Sequence, residues 1–181
     1  MNNNPSTIHM TVSGFTLLEM LFAVIIFSFA LVSLITITGK GVAATSSAKE
    51  QLTAQYLAEE LIEVGRNMRD HNYLNYGVAD WFDELEACTG TNVVCDIADY
   101  SVAPLLTPCT SNPGGVCGVL DNNQGQFRSE AGTGDTTTFE RGLTITKSAD
   151  GQQAIMTATV RWKQKNLGRV YVLQTSLANW Q

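Results

Sequence analysis

The sequence predicts an α+β chain in which one long N-terminal helix packs on a C-terminal antiparallel β-sheet. Three observations predict it. Residues 15–38 form an apolar run in which Glu19 is the sole ionisable side chain. Leu57, Leu61, Val64 and Met68 then step by four, three and four, the spacing of one helix face. From residue 138 onward, apolar side chains recur at alternate positions, the period of half-buried strands.

At 181 residues the chain has room for one modest domain plus an anchor. Residues 1–14 are polar and short and read as a leader. An ordinary secretory signal places its cleavage site after a short apolar region. Here a cut would precede the apolar run, which would stay with the mature protein. A helix over residues 15–38 rises roughly 36 Å, enough for a bilayer core of ~30 Å. The competing reading, a buried core helix, rarely runs so long without charge.

The triplet Gly39, Lys40, Gly41 follows. Each glycine weakens a helix by up to ~1 kcal/mol, so a kink or a frayed turn is expected there. Helical periodicity then resumes over residues 39–71. Leu52 and Tyr56 are read as the upstream end of the apolar stripe. Lys49, Glu50, Glu59, Glu60, Glu63, Arg66 and Arg69 supply the opposite face. A single helix from residue 15 to about residue 70 would extend roughly 84 Å. A domain of this size cannot bury that length, so the first half needs another environment.

Residues 72–137 are expected to be an irregular loop region. They hold Cys88, Cys95, Cys109 and Cys117, together with turn signals such as SNPGG at 111–115 and DNNQGQ at 121–126. An even cysteine count in such a region points to two disulfides and an oxidising compartment. Four cysteines allow three pairings. The low entropic cost of short loops favours Cys88–Cys95 with Cys109–Cys117. A zinc site is the alternative, but it asks for closer cysteine pairs than spacers of six, thirteen and seven residues.

Residues 138–181 are expected to form an antiparallel meander. Phe139, Leu143 and Ile145 share one strand face. Ala154, Met156, Ala158, Val160 and Trp162 share the next, and Tyr171, Leu173 and Leu177 a third. ADG at 149–151 and NLG at 166–168 are the expected hairpin turns. The Leu57–Met68 stripe would dock on one face of this sheet.

Several residues invite a functional reading and receive a plainer one. Asp70 and His71 are adjacent but lack a nucleophile motif nearby, and a histidine near a helix C-terminus favours the dipole. Asp80, Asp83, Glu84 and Glu86 surround Trp81 and Phe82 and are read as a solvated acidic face. Asp121 and Asn123 echo the start of a calcium loop, without its glycine or closing acid. The net charge of −6, with 11 Lys and Arg that do not read as a dense cluster, argues against nucleic acid. No catalytic site, cofactor or metal is expected.

The stretch GFTLLEMLFAVIIFSFALVSL closely resembles the N-terminal cleavage and methylation motif of type IV prepilins and type II secretion pseudopilins. The matching residues are Gly14, Phe15, Thr16, Leu17, Leu18 and Glu19, followed at once by the apolar helix. AQYLAEELIEVGRNMRDHN at 54–72 looks like the second half of a minor-pilin helix. The ending TATVRWKQKNLGRVYVLQTSLANWQ is similar to PilV-type minor pilins. The resemblance implies a type IV pilin-like fold and a structural role in a filament. It implies that a prepilin peptidase cuts between Gly14 and Phe15 and methylates the new amino group of Phe15. Glu19 becomes the fifth residue of the mature chain and pairs with the N-terminal ammonium of a neighbouring subunit. A carboxylate in the membrane costs about 2.5–3.5 kcal/mol and needs such a partner. Implied partners are the peptidase, other pilin subunits through the N-terminal helix, the inner-membrane assembly platform, and the membrane before assembly. The implied location is a single-pass membrane protein that becomes a surface or periplasmic filament.

Thr16 to Glu19 also fits a capping box, in which the glutamate merely closes the first helical turn. The leader departs from the family pattern, since it has no Lys or Arg before Gly14 and only His9 can be charged. Met10 is an alternative start. A type II secretion or DNA-uptake pseudopilin stays open, as does a membrane-anchored extracytoplasmic binding protein that never polymerises.

Overall fold

Helix α1 spans Leu17–Tyr76. It belongs to a computed structural model that describes residues 14–77, 81–99, 105–109, 114–129 and 134–179. The chain divides into two units, Met1–Ser46 and Ser47–Gln181, and α1 contributes to both. Apart from Gly14, the expected leader lies outside the described residues.

The helix starts at Thr16. Its hydroxyl accepts from the Glu19 N–H at 3.3 Å, and its carbonyl accepts from Glu19 and Met20 at 3.1 and 3.2 Å. Helical backbone continues through Gly39 and Gly41, so no frayed turn forms there. Two glycines cost about 2 kcal/mol together, too little to break a helix this long. The end comes at Gly77, six residues later than the sequence suggests. With φ +87 it takes the left-handed conformation, and its N–H returns to the Tyr73 carbonyl at 3.2 Å.

In the first unit, every described residue is exposed. The segment is long and apolar enough to cross a membrane, with a mean hydropathy of 2.7 over its best window. Its few hydroxyls are satisfied within the helix. Ser28, Ser33, Thr36 and Thr38 donate to the carbonyls of Val24, Phe29, Val32 and Leu34 at 2.8–2.9 Å. Such bonds let hydroxyls enter an apolar phase without loose donors.

The second unit is the α+β fold that the sequence predicts. After a 3-10 helix at Asp83–Cys88 come seven strands: β1 (Cys95–Asp99), β2 (Leu105–Pro108), β3 (Val119–Asn123), β4 (Gln126–Arg128), β5 (Asp135–Lys147), β6 (Gln153–Gln164) and β7 (Leu167–Ala178). All named strand pairs are antiparallel. Strands β5, β6 and β7 make the expected meander. The other edge of β5 is shared, with β3 beside its first half and β1 at Leu143. Strand β4 extends from β3, and β2 from β1.

Two expectations are corrected here. Residues 72–137 are not simply an irregular loop, because they hold the end of α1, the 3-10 helix, four short strands and the start of β5. These strands are short, and they exist by pairing with β5 and with one another rather than by their own periodicity. The β6–β7 turn is Lys165–Asn166, one residue earlier than NLG, since Gln164 pairs Leu167 and Gly168 already pairs Lys163.

The stripe on α1 docks on the sheet, but its upstream end differs. Ala54 and Ala58 are buried with Leu57, Leu61, Ile62, Val64 and Met68, whereas Leu52 and Tyr56 are exposed. Small residues let the helix lie close. A Cβ added at Gly65 would stand 2.6 Å from Met156 Sδ on β6. Met68 Sδ accepts from the Leu106 N–H of β2 at 3.3 Å. The core then follows the sheet alternation through Phe139, Leu143, Ile145, Ala154, Met156, Ala158, Val160, Trp162 and Leu177. Each large aliphatic side chain buried here contributes about 1.5–3 kcal/mol.

Candidate functional site

The residues of the resemblance stand together at the start of α1. Gly14 precedes the helix, Phe15 is 78% exposed, and Glu19 sits in the first turn. Only one half of the capping box is made. The Thr16 hydroxyl caps the Glu19 N–H, while among the described residues no bond returns from the Glu19 carboxylate to Thr16. Helix closure therefore leaves that carboxylate unused. Chemically the site offers an acid at a helix N-terminus, flanked by the exposed apolar side chains of Leu18 and Met20.

The cysteines form the pairs that short loops favour. Cys88 joins Cys95 with Cα atoms 5.7 Å apart, and Cys109 joins Cys117 at 5.8 Å. No cysteine is free, so the zinc alternative loses its thiolate ligands. The first bridge ties the end of the 3-10 helix to the start of β1 and is wholly buried. The second ties the residue after β2 to the approach to β3. Its two ends are held by backbone, Cys109 N–H to the Val94 carbonyl at 2.9 Å and Cys117 N–H to the Arg141 carbonyl at 2.7 Å.

The acidic turn around Trp81 and Phe82 packs rather than gathers a ligand. Both aromatics are buried. Lys147 bonds Glu86 at 2.9 Å and stands 4.7 Å above the Phe82 ring. Asn72, buried on α1, meets Glu84 in the amide orientation that satisfies both ends, donating to Oε2 and accepting from its N–H at 3.1 Å each. Asp83 is exposed, and Asp80 lies outside the described residues. His71 is exposed at the end of α1, where its carbonyl accepts from the Asn75 amide at 2.9 Å. The calcium-like echo at Asp121 is a hairpin turn. Asn123 pairs Gln126 across Gln124 and Gly125, both at positive φ (52 and 91), and Asn122 Oδ1 accepts from the Gly125 N–H. Among the described residues no group of three His, Cys, Asp or Glu could hold a metal ion.

Two features are not plain in the sequence. The first is Arg141, fully buried on β5. Its Nε donates to Asp96 Oδ1 of β1 at 2.6 Å, its Nη1 to Glu60 Oε2 of α1 at 2.6 Å, and its Nη2 to the Phe127 carbonyl of β4 at 3.2 Å. One guanidinium thus joins the helix to three strands. The sequence carries its signal, because position 141 falls on the inward side of the alternation that runs through Phe139, Leu143 and Ile145. The second is a run of cations, Arg161, Lys163, Lys165 and Arg169, which corrects the reading that basic residues form no dense cluster.

Comparison with family models, with curated proteins and with solved structures finds no match to the chain.

Proposed function

We propose that the chain is a structural subunit of a type IV pilus or a related filament, a minor pilin rather than an enzyme. The observation that carries this reading is the start of α1. Gly14, Phe15 and Glu19 stand directly before an exposed apolar helical segment, and the Glu19 carboxylate takes no part in closing the helix. The second half of the same helix is committed to a sheet-bearing, disulfide-braced unit, the layout that the resemblance implies.

On this reading a prepilin peptidase removes the leader after Gly14 and methylates Phe15. The apolar segment first holds the subunit in the membrane, where lipid covers it. On extraction by the assembly platform it packs among the same segments of other subunits. Glu19 crosses that change as a buried charge and is stabilised by the ammonium at Phe15 of its neighbour. Mass spectrometry of the mature N-terminus tests the proposal. The expected result is a chain that begins at N-methyl-Phe15. An intact Met1, or a cut after the apolar run, would sink it.

A further inference from the structure

The sheet of the second unit has a core face and an opposite face. Val160 and Trp162 of β6 belong to the core and are buried. Arg161 and Lys163 alternate with them, so both stand on the opposite face. Strand pairing sets a row across that face, with Val119 of β3, Glu140 of β5, Arg161 of β6 and Val170 of β7 side by side. One step further, Lys163 pairs Gly168. Thr138 shares the face, two residues before Glu140.

Part of this face is covered. A Cβ added at Gly142 would stand 2.6 Å from the Gly115 carbonyl oxygen and 2.8 Å from Val116 Cα, so that segment lies directly on β5. Gly114, just before it, reaches β6, where an added Cβ would stand 2.9 Å from Arg161 Nη1. Cys117 ties the segment to Cys109. The Arg161 guanidinium is therefore placed in advance, with the Gly114 backbone beside it and the Glu140 carboxylate at 4.0 Å.

Beyond Arg161 the face is open. Thr138, Glu140, Arg161, Lys163, Gly168 and Val170 help to line a pocket of about 390 Å³, a size typical of small-molecule sites. A Cβ at Gly168 would meet nothing within 4 Å, so the absent side chain leaves room there. Lys163 is exposed and has no ion-pair partner among the described residues. Arg169 also borders the pocket, but it pairs Trp162 and starts from the core face. Arg161 and Lys163 against Glu140 leave one positive charge over the opening. That balance suits a ligand with a single negative charge, because Glu140 opposes a second one. Glu140 and the Thr138 hydroxyl accept hydrogen bonds, so the same ligand should carry hydroxyl donors. Val119 and Val170 offer it apolar contact.

We propose that this pocket binds a sugar acid, a single ring that carries one carboxylate and several hydroxyls. Arg161 and Lys163 hold the carboxylate, Glu140 and Thr138 take ring hydroxyls, and the ring lies over Gly168. The pocket belongs to the second unit alone and is independent of the filament reading.

The test titrates the full chain, in a zwitterionic detergent without sugar groups, with D-glucuronate, D-glucose and inorganic phosphate by calorimetry. Glucuronate should bind saturably, and glucose and phosphate at least tenfold more weakly. K163Q should weaken glucuronate by about tenfold, the loss of one charge-assisted hydrogen bond. G168V fills the open space with a residue that suits a strand, so it should abolish binding while the urea midpoint stays unchanged. Absence of glucuronate binding would overturn the proposal. Glucose binding as tightly would remove the carboxylate from the recognition, and phosphate binding as tightly would leave a bare anion site; either result overturns it. Glucuronate binding that survives both K163Q and G168V unchanged would place the ligand elsewhere and overturn it too.

Discussion

The Arg141 guanidinium, wholly buried on β5, grips the Asp96 carboxylate of β1 at 2.6 Å. Asp96 Oδ1 also accepts from the Ile97 N–H at 2.8 Å, while Oδ2 has no partner. Removing one member of a buried pair leaves the other uncompensated, at a cost of about 3–5 kcal/mol. Arg141→Met should therefore lower stability by that amount in urea unfolding of the full chain in detergent. Arg141→Met with Asp96→Leu should be less destabilised than Arg141→Met alone. A double variant that is worse than the single one would show that the pair is not the source of the loss.

The close approach of Gly65 to Met156 makes a second expectation. A valine at 65 brings a Cβ within 2.6 Å of Met156 Sδ, and Met156 is fully buried. Gly65→Val should cost about 1–3 kcal/mol by overpacking. The two sites should couple, so that Gly65→Val costs less in a Met156→Ala background. Strict additivity of the two changes in a double-mutant cycle would remove the contact as the explanation.

Glu19 separates anchoring from assembly. Glu19→Val leaves the Thr16 cap and the apolar run in place, so the variant should still enter the membrane and lose its leader. It should be missing from sheared filaments, or reduced by an order of magnitude, when subunits are counted by quantitative mass spectrometry. Incorporation at the wild-type level would refute the proposed role of the carboxylate.

The β5–β6 turn carries a titratable brace. The Asp150 carboxylate accepts from the Ser148 hydroxyl and from the Gln152 N–H, and these bonds hold its pKa below its ordinary value of 3.8. The folded pKa is the lower one. The stabilisation is therefore complete above the unfolded value and is lost as the pH falls through the folded value. The stability difference between wild type and Asp150→Asn should be constant well above pH 3.8 and close as the pH drops below it. A difference that persists unchanged into strong acid would rule out the carboxylate as its cause.

The sequence makes the large periodic features plain and hides those that depend on pairing. The apolar run, the Leu57–Met68 stripe and the β5–β7 alternation each repeat with their own period, so they are legible without a partner. Strands β1 to β4 are not. They are three to five residues long, too short to show a period, and defined by pairing with β5 or with one another. Arg141 is hidden because a charged residue at an inward position reads as a break in the alternation until Asp96 and Glu60 are seen around it. The cations at 161–169 stand on alternate faces and both sides of a turn. Only the hairpin brings them to one end.

The two disulfides each join a cysteine to the next one in the chain, at separations of 7 and 8 residues. Consecutive pairing has a consequence for biogenesis. If the second unit crosses the membrane from its N-terminal side, each pair is complete within a few residues of its first cysteine emerging. An oxidase acting on cysteines in their order of arrival would form both native bonds, and no shuffling step would be needed. The bonds would also precede the completion of β5, β6 and β7, which follow them in the chain. The covalent braces would then be set before the sheet that they support exists.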